Sequence, residues 1–291
     1  MARKRTIYVS ALNITLHEHS AERYIELFKF IRSKKLRAKY HGDRRAGIVS
    51  LGKRESKDSQ FLIGQICSFV ELDPTDQWFN DRTGQPAEDE DLEKLEVPEY
   101  LKPGMRLFYF AFFPQRHRLF FESRSHGGQS LGPNNARRIF ENFLSDQAVI
   151  EKFGAGNVTI EPQTEALSHI FRISRLDYLS MFVTRPNPDD TEDAAARVKK
   201  RMKTQNAQQF EEHLKAEKGE SLKPDKETVE LAEVASSNGY VYGRGRDEAG
   251  DPIEESTKSH PLRRREQYDP AVETPDSVIV SAAMSFFRGT K

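Results

Sequence analysis

The order of apolar and polar positions divides the chain into alternating strand-like and helix-like stretches. Thr6–Ile14 is β-branched and aromatic enough to predict a first strand. The apolar period then changes: Tyr24, Ile25, Leu27, Phe28 and Ile31 recur at helical spacing, and Ser20 stands where an N-cap belongs. Ala46–Leu51 and Phe61–Leu72 read as strands separated by a polar turn, Lys53–Gln60. The strongest strand pattern is Arg106–Phe113 followed by Arg118–Ser123. Phe108, Phe110 and Phe112 share one face, and Leu107, Tyr109 and Phe113 share the other. A hairpin apolar on both faces is expected in the middle of its sheet.

Asn135–Phe153 predicts one helix, ended by Gly154 or Gly156. Further strands are expected at Asn157–Glu161, Asp177–Thr184 and Phe210–Ala216. Helices are expected at Glu165–Phe171, from a Thr191 cap to about Gln205, and over Pro224–Ser236. Asn238-Gly239 reads as a turn, Tyr240–Gly245 with Ile253–Thr257 as a hairpin, and Ser277–Phe287 as a last helix or strand. Strands and helices do not alternate regularly, which points to an α+β fold: mixed or antiparallel sheets with packed helices, in two domains. The expected division is an N-terminal α+β region (1–125), a helical connection (126–156) and a C-terminal α+β region (157–291).

Composition narrows this picture. Hydrophobic residues make up 36% and charged residues 31%, but aromatics reach 10%, too many for a disordered chain. Lys and Arg number 45, as do Asp and Glu, so a histone-like basic character is excluded and a local basic surface is not. Seven acidic residues run through 88–99, which reads as a solvated loop or short helix. The single cysteine, Cys67, sits in a strand-like run and reads as a small buried residue. No stretch has the roughly 20 apolar residues of a spanning helix, and the N-terminus does not read as a signal peptide. The expectation is a cytoplasmic protein without membrane insertion.

Enzymatic motifs are sparse. There is no Walker-type loop, no dinucleotide fingerprint and no nucleophile elbow. His17-Glu18-His19 has metal-ligand spacing but no further ligand that sequence can name, so no metal or other cofactor is expected. Glu211, Glu212, Lys215, Glu217 and Lys218 offer loose material for a metal-dependent nuclease, as does Asp189-Asp190. A non-enzymatic role is favoured, with the nuclease as the alternative.

Positive clusters carry more information. Arg32, Lys34, Lys35, Arg37, Lys39, Arg44 and Arg45 crowd one segment, interrupted by Asp43 alone. Arg116 and Arg118 decorate the aromatic hairpin. Arg244, Arg246, Lys258, Arg263, Arg264 and Arg265 gather on the late hairpin and its exit, interleaved with Asp247, Glu248, Glu254 and Glu255. Such stripes neutralise phosphates and release counterions. These fifteen residues are the expected nucleic-acid contacts, with DNA ahead of RNA as partner.

Ile7–Ile14, Gly154–Pro162, Val183–Asp189 and the stretch from Asn238-Gly239-Tyr240 through Ser256–Leu262 resemble an uncharacterised bacterial domain-of-unknown-function family over nearly the whole chain. That resemblance implies an accessory protein of mobile elements or defence regions and brings no chemistry. Shorter stretches, Val158–Pro162 and Arg246–Ile253, resemble phage-exclusion proteins of the RexA type. The second resemblance implies a two-domain homodimer that binds DNA with little sequence preference in an anti-phage system. A co-encoded effector is a further partner expected there, and a non-catalytic interaction subunit of a defence complex is the other alternative.

Overall fold

A computed structural model describes residues 4–17, 20–55, 60–73, 77–92, 98–184 and 193–289. In chain order, β1 (Arg5–Leu16) leads into α1 (Ala21–Ser33), β2 (Ala38–His41), β3 (Arg44–Glu55) and β4 (Gln60–Val70). A minimal hairpin, β5 (Phe79–Asn80) with β6 (Gln85–Pro86), and one helical turn, α2 (Asp89–Leu92), precede β7 (Arg106–Phe113) and β8 (Arg118–Arg124). Next come α3 (Pro133–Leu144), α4 (Gln147–Phe153), β9 (Gly156–Ile160), α5 (Ala166–Phe171), β10 (Arg175–Thr184), α6 (Asp193–Thr204) and β11 (Gln209–Lys215). The chain ends with α7 (Lys226–Asn238), β12 (Gly239–Arg246), β13 (Pro252–Ser256), β14 (Arg264–Tyr268) and α8 (Pro275–Gly289).

The class is α+β with antiparallel sheets. The larger sheet has eight strands in the order β14-β1-β8-β7-β4-β3-β2, with β9 on the same edge of β1 as β14. The β7–β8 hairpin is central, as its two apolar faces require. Phe108, Phe110, Phe112 and Phe121 meet α1, α3 and α4 on one side. Ala111, Phe113 and Phe120 meet α8 on the other. Phe28 of α1 stacks on Phe112 with ring centres 4.6 Å apart. Ser20 caps α1 by accepting from the Arg23 N–H.

The second sheet runs β11-β10-β12-β13, and α5, α6 and α7 bury one of its faces. The two sheets are joined through β1. Asn13, buried in that strand, donates its side-chain amide to the Ser237 carbonyl at 3.0 Å, and Thr159 donates to the same carbonyl at 2.9 Å. The end of α7 is thereby docked onto the larger sheet.

Several expectations need correction. The polar turn expected at 53–60 is strand at both ends, since β3 runs to Glu55 and β4 begins at Gln60, and 56–59 lie outside the described residues. The single helix expected over Asn135–Phe153 is two helices, because Asp146 folds back to accept from the Ala148 N–H and starts α4. Asn238-Gly239 is not a turn but a direct step from α7 into β12. The basic segment contains the edge strand β2, and the polar stretch after Lys258 contains β14. Across the expected division at 156, β9 and β14 join the larger sheet and α8 packs on it. Thr191, Asp189, Asp190, Glu18 and His19 lie outside the described residues.

One carboxyl is conspicuous in the core. Glu122 of β8 is 3% exposed and stands opposite Val9, which lies in the core under α8. Burial pushes its pKa from 4.5 up to about 7, opposed weakly by the Tyr109 N–H. A carboxyl with a raised folded pKa binds its proton more tightly when folded, so stability falls as pH rises from 4.5 through 7. Glu122→Gln is expected to stabilise the protein by about 3 kcal/mol at pH 8 and hardly at all at pH 4. Denaturant titrations at the two pH values check this; an equal effect at both would refute a titrating Glu122.

Candidate nucleic-acid interface

The basic segment begins at the carboxyl end of α1. Backbone bonds from Lys34, Lys35 and Leu36 to Phe30, Arg32 and Ile31 close the helix. Lys35 takes a left-handed conformation (φ 51°) at this end, and Leu36 packs back against the core. Cations are favoured there because the last carbonyls carry partial negative charge. Arg37 comes just before β2, and β2 pairs only with positions 44–46 of β3. From Gly47 onward, β3 has no partner strand on that side among the described residues.

A groove of about 690 Å³ lies between this open edge and the end of α1. Its floor is Ile48, Val49, Leu51, Gly52 and Leu62; its cations are Lys29, Arg32, Lys35, Arg37 and Lys53, with Ser33 beside them. Among the described residues, no carboxylate lines it. The guanidinium of Arg37 lies where a Cβ at Gly47 would be, so that glycine makes room for it. Arg37 also lies over the Phe69 ring, 5.8 Å from its centre. The Cys67 thiol nearby is pushed up by burial, against the pull of Arg37.

Lys53 reaches the groove because β3 is bulged. Register shifts between Ile48 and Ser50, leaving Val49 as the extra residue. Beyond it, Leu51 and Lys53 stand opposite Gly64 and Leu62, on the same face as Ile48 opposite Ile66. Strict alternation would have put Lys53 on the other face. Two acids moderate the charge at the rim: Glu55 pairs with Lys53 at 3.3 Å, both well exposed, and Glu22, whose pKa is held low by hydrogen bonds from the backbone and Ser20, also feels the Lys53 charge.

A second surface lies on the open face of the smaller sheet. Tyr178, Ser180 and Phe182 of β10 alternate onto it, opposite Tyr242 and Tyr240 of β12. Phe182 stacks on Tyr240 at 5.0 Å, and Tyr178 stacks on His213 at 5.7 Å while sharing a 2.6 Å hydrogen bond with it. Arg244 lies over Tyr178, and the Lys258 ammonium lies 3.4 Å from the Tyr240 ring centre. Burial, with Arg137 assisting, holds Lys258 below the ordinary ammonium range. Half-exposed aromatics edged by cations are what a stacking platform for unpaired bases needs.

The other expected contacts are dispersed. Lys34 lies over the Phe30 ring, and Lys39 is exposed on β2. Arg44 is tied to Ser68 and the Gly104 carbonyl, and Arg45 to Glu71, which Lys102 also holds. Arg116 lies over Phe287. Arg246 bonds the Gly250 carbonyl in its own turn, and Arg263 lies over Tyr8. Arg264 bonds the Ala282 carbonyl and Ser285, which fastens α8 to β14; Arg265 is exposed on β14. Arg118 is drawn inward, paired with buried Glu161 at 2.7 Å. Its role is therefore structural. The loose carboxylates do not converge either, since Glu211 and Glu212 are neighbours on β11 and so face opposite sides.

Sequence reasoning brought Arg32, Lys35 and Arg37 to the groove but missed Lys29 and Lys53. Lys29 was legible, one helical turn before Arg32. Lys53 was not, because the bulge reverses its face. The aromatic platform was legible only as strand composition.

The difference between groove and core cations is measurable. Arg118→Ala leaves Glu161 buried without its partner and is expected to cost about 3–5 kcal/mol in denaturant unfolding. Arg32→Ala and Lys53→Ala, on the surface, are expected to stay within about 0.5 kcal/mol of wild type. A comparable loss for Arg32→Ala would show that the groove cations hold the fold.

The chain belongs to the family described as a domain of unknown function, DUF4747, whose model matches residues 5–284. No curated protein matches it. No helix among the described residues is long and apolar enough to cross a membrane.

Proposed function

We propose that this member of the family binds nucleic acid through backbone phosphates, with little sequence preference and without catalysis. The observation that carries the reading is the α1/β3 groove, where Lys29, Arg32, Lys35 and Lys53 stand round an apolar floor, Arg37 borders it from the Gly47 edge, and no carboxylate among the described residues lines the wall. Phosphate contacts position a ligand without reading its bases. The groove presents the carboxyl end of α1 rather than a recognition helix, so nothing at this site reads base edges. The unpaired edge of β3 adds backbone N–H groups to its donors. The same charges and the Val49 bulge also guard that edge against strand pairing between molecules.

DNA is the first candidate partner, and the aromatic face of the smaller sheet suits single strands. The setting that goes with this reading is a homodimer in a bacterial or prophage anti-phage system, acting beside a co-encoded effector. Light scattering of the purified chain tests the dimer.

Fluorescence anisotropy with labelled duplex, single-stranded DNA and RNA over a salt series tests the binding. If all five groove cations meet phosphates, log K against log salt is expected to fall with a slope of about −4 to −5 on duplex. Arg32→Glu, Arg37→Glu and Lys53→Glu are each expected to weaken binding and flatten that slope by about 1 or more. Absence of binding to every probe at low salt, or charge-reversed variants that bind like wild type, would overturn the reading. Cleavage of a probe in Mg²⁺ would replace it with the nuclease.

A further inference from the structure

Three side chains that the nucleic-acid reading does not use meet where the two sheets are sewn together. His169 lies on α5, Glu255 on β13, and His260 just after the 3₁₀ turn Thr257–Ser259. One ligand atom from each lies within 4.8 Å of the others. The His260 Nε2 is 2.8 Å from a Glu255 carboxylate oxygen, and the His169 and His260 rings are 5.1 Å apart at 50°.

The backbone holds this arrangement from two sides. Glu255 stands opposite Gly243 in the β12–β13 register. A side chain at Gly243 would run into Ile170, so the glycine lets α5 settle onto the sheet and brings neighbouring His169 over Glu255. On the other side, the Gln163 N–H donates to the His260 carbonyl at 2.8 Å, and Pro162 bridges to Pro261. Two segments distant in sequence, α5 and the stretch 255–260, are thus brought to one point by contacts that do not involve the imidazoles.

We infer that His169, Glu255 and His260 form a binding site for a zinc-class divalent transition metal. Two imidazoles and one carboxylate are a donor set for zinc, cobalt or nickel, whereas magnesium and calcium prefer all-oxygen shells. Bonds of about 2.0–2.2 Å in a tetrahedral site place ligand atoms roughly 3.3 Å apart, so small side-chain rotations close the set. The ion takes the place of the proton shared by His260 and Glu255. His169 is exposed, which leaves the fourth position to water. The bound ion clamps α5 to the end of β13, and so tightens the smaller sheet against the segment that completes the larger one. This site is independent of the α1/β3 groove.

Metal-stripped full-length protein titrated with Co²⁺, followed by visible d–d absorption and then displaced with Zn²⁺, tests the inference. Saturable binding of one ion per chain is expected, with a rise in melting temperature. His169→Ala and Glu255→Gln are each expected to weaken binding on the order of 10–100-fold or more, at least as much as losing a supporting partner does. His169 is an exposed helix position, so its alanine variant should fold, and circular dichroism without metal checks that. No saturable Co²⁺ spectrum in the wild type, or one unchanged in His169→Ala, would overturn the site.

Discussion

The structure turns on the hydrogen-bonding demand of one strand. β1 is buried on both faces over most of its length, so every backbone N–H and C=O in it must find a protein partner. β8 serves one edge. The other edge is divided: β14 covers residues 5–9 and β9 covers 12–16. At the seam, the Ala11 carbonyl accepts from the Glu161 N–H, and the Glu161 carbonyl accepts from the Leu262 N–H. Two segments far apart in sequence are held side by side because one strand needs both.

Much else follows from that seam. Glu161 is carried into the interior, where desolvation raises its pKa against the opposing pull of Arg118. Arg118 is thereby withdrawn from the surface. The pairing of 161–163 with 260–262 continues outward and places His260 beside α5. Asn13, on the same strand, anchors the smaller sheet through Ser237. The α1/β3 groove obeys the opposite condition. There a strand outlasts its partner, because β2 begins only at Ala38, opposite Ala46, and cations with a bulge occupy the open edge instead of another strand.

Local pattern foretold what depends on near neighbours. The Ser20 cap, the end of α4 at Gly154 and the central position of the Phe-rich hairpin were legible, because capping, a left-handed stop and two-sided apolarity act within a few residues. The break at Ser145-Asp146 was missed because its apolar spacing continues smoothly across it; the only signal was an Asp able to cap. β14, Arg264–Tyr268, was missed because it is an edge strand with polar alternation, which resembles a loop until β1 requires it. Among the cations, proximity in sequence groups Arg32, Lys35 and Arg37, and all three line the groove. Proximity also enrols Arg44, Arg45 and Arg118, which internal partners occupy.

The sequence alone determined the class of fold, most of the elements and the balance of charge, since these rest on side-chain periodicity, caps and counting. Tertiary structure decided which charges act together. A zero net charge is silent on whether Lys29 and Lys53 stand beside Arg37 or whether His169 meets His260, because those meetings depend on strand register, a one-residue bulge and a divided strand edge. Each is a long-range backbone constraint, and no local pattern of side chains encodes it.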